Sequence, residues 1–246
     1  MTEHNHEAMQ KEYPSVFLMD FSPLWLSVHA IRKCWASEGK SDSFFEMLDM
    51  QGDVAFRIPL SEHKEALISQ FESRFILGPK DLKLIKKVIF HDHTSTLEHV
   101  KYTFEIKSMS RGCLQELARH RHASLSVQSS RYTLKKILVG DVAIDEAYVS
   151  SGDDEVDGFV EDQLASMVDA VARRQDLKND VLKYSLPEAF KTELVWTINA
   201  RSLRNFLALR TSPKALWEIR QLAQAVHEAL PEGHGVLYAD CVKGVE

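Results

Sequence analysis

Val100-Lys101-Tyr102-Thr103-Phe104-Glu105-Ile106-Lys107 alternates apolar with polar side chains at every step. Successive side chains of a strand point to opposite faces, so this period of two predicts a strand with one buried and one wet face. Helical spacings surround it. Leu82, Ile85, Val88 and Ile89 share one stripe, and residues 24–36, with apolar side chains at Leu26, Ala30, Ile31 and Cys34, read as a helix. A strand is expected at 15–19 and extended structure at 137–149. Further helices are expected at 112–120, 160–171, 180–184, 199–210 and 213–230. Ser212 and Pro213 suit the N-cap and first position of the last helix, and Pro231 with Gly233 ends it.

The chain has 246 residues, scattered prolines and no repeat, so a single domain over 1–246 is the simplest organisation. Its 44% hydrophobic and 27% charged residues exclude a disordered, collagen-like or disulfide-scaffold chain. Cys34, Cys113 and Cys241 form an odd set without CxxC spacing, which supports neither a disulfide framework nor a cysteine zinc site. No apolar run reaches the length of a membrane span or a signal peptide, so a soluble cytoplasmic protein without a membrane partner is expected, with residues 1–12 flexible.

Net charge is −6, yet residues 111–136 hold six Lys and Arg against one acid, Glu116. Arginine forks and the hydroxyls of Ser124, Ser126, Ser129 and Ser130 make this window a candidate anion site. The bland alternative is a basic surface strip paired with residues 137–169, which carry ten acids and no Lys or Arg. Within that stretch, 150–157 is expected to be a solvated acidic loop. A second anomaly is Arg210, which falls on the apolar stripe of Leu203, Phe206 and Leu207. A charge aimed at a core must be paired, snorkel to solvent or border a ligand.

Arg119-His120-Arg121, seven residues and then Ser129 resembles the signature of the flavin-dependent thymidylate synthases. The loop His93-Thr94-Ser95-Thr96-Leu97-Glu98-His99 before the alternating strand, and the segment Trp196-Thr197-Ile198-Asn199-Ala200-Arg201-Ser202-Leu203-Arg204-Asn205-Phe206-Leu207-Ala208-Leu209-Arg210, resemble two further stretches of the same family. The resemblance implies an α+β fold of helices on an antiparallel sheet, assembled as a homotetramer with shared active sites. It also implies methylation of dUMP to dTMP with methylenetetrahydrofolate as carbon donor, FAD as hydride relay and NADPH as reductant.

By that resemblance Arg119, His120, Arg121, Asn199, Arg201 and Asn205 would line the FAD site, with His93 and Ser95 against the flavin or the folate. Gln115, Glu116, Arg119, Gln128, Ser129, Ser130, Arg131, Lys183 and Arg210 would hold dUMP, with Arg131 and Lys183 on its phosphate and Arg210 at the uracil ring as the catalytic residue. Three positions depart from the family pattern. Val127 stands where many members have Glu, Lys183 where Arg is common, and Glu116 where Gln is frequent. No metal is implied. Two rival readings are a nucleic-acid-binding module using residues 111–136 and a metal phosphohydrolase built on His91-Asp92. The first would have a positive overall balance and more aromatics among the charges than Tyr132, so no nucleic-acid partner is expected.

Overall fold

The computed structural model describes residues 14–62, 72–174 and 176–243; the expectation for residues 1–12 lies outside them. Seven strands are described: β1 (Ser15–Phe21), β2 (Phe44–Leu48), β3 (Val54–Pro59), β4 (Ser73–Ile76), β5 (Lys101–Ser110), β6 (Ala123–Val127) and β7 (Lys191–Asn199). The helices are α1 (Trp25–Cys34), α2 (Pro79–Phe90), α3 (Arg111–Ala118), α4 (Ser130–Leu138), α5 (Asp154–Arg173), α6 (Asn179–Leu182), α7 (Ala200–Arg210) and α8 (Trp217–Glu228). A four-stranded sheet has the order β1-β5-β7-β6, and a three-stranded antiparallel sheet has the order β3-β2-β4. Mixed helices and sheets in this arrangement make the fold α+β.

Two compact units divide the chain. The first comprises residues up to Phe17, Phe104–Trp196 and Arg210–Glu228; the second comprises Leu18–Thr103, Thr197–Leu209 and the residues from Ala229 onward. In β5 the alternation predicts burial correctly, since Tyr102, Phe104 and Ile106 are fully buried while Lys101 is exposed. At Ser108 the backbone turns left-handed, with φ of 57°, and the next two residues, Met109 and Ser110, are both buried.

In the first unit Leu134, Ile137, Tyr148, Leu164, Met167 and Phe190 pack into a core that α4, α5 and the start of β7 surround. Helix α3 begins at a fixed point. Ser110 caps it by accepting from the Cys113 amide at 2.9 Å, while the buried Glu218 of α8 accepts from both the Ser110 amide (2.7 Å) and its hydroxyl (2.5 Å). Burial raises the Glu218 carboxyl above its usual range, more than the two Ser110 hydrogen bonds lower it.

In the second unit α1 and α2 are tied by a buried ion pair. Arg32 reaches Asp81 at 2.5 Å, and the hydroxyls of Ser41 and Ser43 donate to the same carboxylate at 2.5 and 2.6 Å. Desolvation pulls the Asp81 carboxyl up, but these hydroxyls and Arg32 together hold it below the ordinary aspartate value. Nearby, His234 Nδ1 and the Tyr102 hydroxyl share a hydrogen bond at 2.8 Å, and the His234 ring packs edge-on against Phe21. Its burial depresses the imidazole to about 4.

Three local expectations need correction. Residues 150–157 are not one loop: Asp153 accepts from the amides of Glu155 and Val156 at 3.1 Å, and α5 starts at Asp154. The acids of the first turn suit the positive helix end, so the composition marks a helix start. Asp157 is also buried, accepting from Ser150 and Ser151. Ser212 and Pro213 form a turn instead of opening α8, with the Ala215 amide on the Ser212 carbonyl at 2.9 Å, and the helix starts at Trp217. Of residues 137–149, the first two complete α4, and Tyr148 alone bridges to Phe190.

Removing one partner of a buried pair strands the other charge. Arg32→Ala should therefore cost about 3–5 kcal/mol of stability, measured by urea unfolding; an unchanged midpoint would show that Asp81 is satisfied by Ser41 and Ser43 alone.

Candidate active site

The basic window folds as α3, a short connection, β6 and α4, all in the first unit. Glu116 lies on α3, Arg119 is its C-cap residue, and His120 follows with its ring buried. Arg210, the last residue of α7, meets them with only 14% of its side chain exposed. Its Nε donates to His120 Nε2 at 3.0 Å, Nη1 donates to Glu116 Oε2 at 2.5 Å, and Nη2 donates to the Glu116 carbonyl at 3.2 Å. Arg119 reaches the other carboxylate oxygen of Glu116 at 3.3 Å. One carboxylate thus bridges two guanidinium groups.

The electrostatics agree with the geometry. Burial first, then the charges of Arg210 and Arg119, depress the His120 imidazole to about 4. A neutral ring that accepts at Nε2 carries its proton on Nδ1, so the hydrogen bond also fixes the tautomer. Partial desolvation draws the Glu116 carboxyl upward, yet the Arg210 hydrogen bond and the two arginine charges outweigh it and hold it ionised at neutral pH. The expectation that a charge on the α7 stripe needs a partner is met by Glu116. Sequence reasoning assigned both residues to the nucleotide and did not anticipate their pairing.

The remaining residues of the nucleotide set belong to the same unit. The Gln128 amide donates to the Glu193 carbonyl at 2.8 Å, which leaves its exposed side chain beside Ser129 at the start of α4. The Ser129 carbonyl receives the Tyr132 amide at 3.0 Å, and Ser130 and Arg131 form the first turn. Arg131 pairs with Asp180, and its carbonyl receives the Asn179 side chain at 2.9 Å. Lys183 is exposed on the 3-10 turn Lys183–Ser185, which packs against α4. Gln115 donates to both carboxylate oxygens of Glu188 at 2.8 Å. The partners Asp180, Glu188 and Glu218 were not visible in the sequence, because each lies at least 49 residues away from the residue it meets.

The second unit holds the other part of the flavin set. His93 and Ser95 are exposed at the 3-10 turn Thr94–His99, with the His93 ring stacked 6.2 Å from that of His91. Asn199 accepts from the Ser202 amide at 2.9 Å and so caps α7. Arg201 pairs with Glu98 at 2.7 Å, and Asn205 is exposed on the same helix. Arg121 is exposed in the first unit, with no ion pair among the described residues. Also among them, no group of three or more His, Cys, Asp and Glu side chains could hold a metal ion, and no helix is long and apolar enough to cross a membrane.

The model of the family described as "Thymidylate synthase complementing protein" matches residues 19–233. The chain belongs to the flavin-dependent thymidylate synthase family. A flavin-dependent thymidylate synthase of Wolinella succinogenes is 43% identical over 91% of this chain and 97% of that protein. One of Helicobacter pylori is 38% identical over 93% and 99%. A crystal structure of the Helicobacter pylori thymidylate synthase with FAD and dUMP has a TM-score of 0.73 at 36% identity, covering 94% of this chain and all of that one. Residues 93–99, the basic window and α7 all lie inside the span that the family model matches.

Because His120 and His234 have folded values near 4, below the ordinary imidazole value of 6.5, the unfolded chain takes up protons that the folded chain refuses between those two pH values. Stability should fall as pH drops from 6.5 towards 4, and His120→Asn should lessen the fall. Urea titrations across the window check this; a flat profile would mean that both rings charge in place.

Proposed function

We propose that this chain, acting as one catalytic domain in the cytoplasm, methylates dUMP to dTMP with methylenetetrahydrofolate as carbon donor, FAD as hydride relay and NADPH as reductant. The observation that carries the reading is Arg210. It is a nearly desolvated guanidinium held in one orientation by Glu116 and a neutral His120, in a chain similar to a thymidylate synthase solved with FAD and dUMP.

The donors fit both ligands. Ser129, Ser130 and Arg131 stand at the start of α4, where free amides and the helix dipole favour an anion, and Lys183 sits on the turn packed against that helix. Together they suit the nucleotide phosphate, and Gln115 and Gln128 would serve the nucleotide as neutral donors. Exposed Arg119 and Arg121 suit the FAD diphosphate, and His93, Ser95, Asn199, Arg201 and Asn205 offer further polar groups to the flavin. His120 serves this site through Arg210. When bound, reduced FAD supplies the hydride that no side chain can.

The pyrimidine C5 must become nucleophilic. Arg210 remains protonated throughout, so two of its N–H groups beyond those given to Glu116 and His120 can stabilise negative charge developing at the N3 and O2 side of the ring. That charge raises electron density at C5. A cysteine adding to C6 is the competing route. Burial, followed by the charges of Glu218 and Glu116, pushes the Cys113 thiol far up, and burial lifts Cys241 to about 11. Neither supplies a thiolate at neutral pH. The exposed Cys34 ends α1 in the second unit.

A homotetramer is part of the same proposal. Apolar side chains exposed along the edge strand β1, Phe17, Met19 and Phe21, would be covered by a neighbouring copy. Arg210→Ala should retain FAD, read from the yellow absorbance of the purified protein, and lose dTMP formation by about 100-fold or more; near-normal turnover would remove Arg210 from the chemistry. Cys34→Ala, Cys113→Ala and Cys241→Ala combined should keep turnover, and its complete loss in a folded variant would establish a thiolate route.

A further inference from the structure

Within the nucleotide set, Glu116 turns both its carboxylate and its main-chain carbonyl towards another member of the set, Arg210. We propose that Glu116 is a positioning residue, which leaves the nucleotide untouched and fixes the orientation of the Arg210 guanidinium while holding Arg119 beside it. The inference rests on the reading of this chain as a dUMP-methylating enzyme.

Three acceptors meet three different nitrogens of Arg210. His120 Nε2 takes the Nε hydrogen at 3.0 Å, Glu116 Oε2 takes one from Nη1 at 2.5 Å, and the Glu116 carbonyl takes one from Nη2 at 3.2 Å. A planar group held at three corners cannot rotate without breaking two of these bonds. One hydrogen remains on each terminal nitrogen, so the anchored fork still offers a pair of donors to a ligand. Because a neutral ring and a peptide carbonyl supply two of the three anchors, the charge of Arg210 is balanced by a single carboxylate.

The carboxylate has a second task. Its Oε1 receives Arg119 at 3.3 Å while Oε2 receives Arg210, so one negative charge keeps two like-charged guanidinium groups together. Without it they repel across a partly desolvated space. The other titratable groups around the cluster add no comparable anchor. Cys113 on α3 is protonated, and Glu218 of α8 is occupied by Ser110. Glutamate in place of the family's frequent Gln thus gives position 116 a charge that binds arginine more strongly than an amide does, at the expense of donors for a nucleotide carbonyl.

The test is a double-mutant cycle on the FAD-loaded protein, with Glu116→Gln, Arg210→Ala and both together. Turnover is measured for the single Gln variant and dUMP affinity by calorimetry for all four proteins. Glu116→Gln should lower kcat about tenfold or more while KM for dUMP moves less than about threefold, since misorientation acts on the reacting geometry. In the Arg210→Ala background it should weaken dUMP binding no further. Glu116→Asp, which keeps the charge one methylene short, should recover part of kcat and serves as the comparison if the Gln variant does not fold. Additive losses of dUMP affinity would show Glu116 touching the nucleotide itself and overturn the inference while the function stands. A wild-type protein that neither binds dUMP nor forms dTMP would overturn the function, and the inference with it.

Discussion

A guanidinium removed from water must be given negative charge or a ligand, and Arg210 receives the first in a form that leaves room for the second. The pairing with Glu116 and the neutral His120 depends in turn on where α3 begins. That point is set by the buried Glu218, which accepts from Ser110 at the helix N-cap. A run of acceptors therefore extends from the buried Glu218 of α8 through Ser110 at the start of α3 to Glu116 and the Arg210 guanidinium. None of its members is replaceable by an apolar residue without leaving a buried donor unmet, at a cost of about 1–3 kcal/mol each.

Much of this architecture was legible. The alternation of β5 is unambiguous because one of its faces is fully buried, and the Arg210 anomaly was visible because three apolar neighbours define a stripe into which the charge intrudes. What escaped notice has physical reasons. Strand β2 shows no alternation, since the consecutive Phe45, Glu46 and Met47 are all buried, with the Glu46 carboxylate held between Arg57 and Arg74 of the flanking strands. Residues 150–157 looked like a loop because acids suit solvent, yet the same acids stabilise the amide end of α5. Ser212-Pro213 fits a helix start and a tight turn equally well, and the Ala215 amide on the Ser212 carbonyl closes the turn.

The site was legible as composition and not as wiring. Arginines, histidines and serines crowd residues 111–136, a composition that suits an anion, but the partners of this window come from α6, α7 and the segment before β7. Such pairings follow from topology, to which local spacing is blind. The family resemblance supplied the segment 199–210 and its relation to the basic window. It did not supply the role of Glu116, which departs from the family pattern and takes its meaning from the geometry around Arg210.

The small β3-β2-β4 sheet follows a different rule. Glu46 in the middle strand is gripped on one oxygen by Arg57 of β3 at 2.8 Å and on the other by Arg74 of β4 at 2.5 Å. The carboxylate is nearly buried, whereas both arginines stand largely in solvent, within reach of counterions. Dissolved electrolyte therefore acts unevenly on the molecule: it screens this ionic rivet across three strands, and does not weaken the apolar interior beneath β5 by the same route.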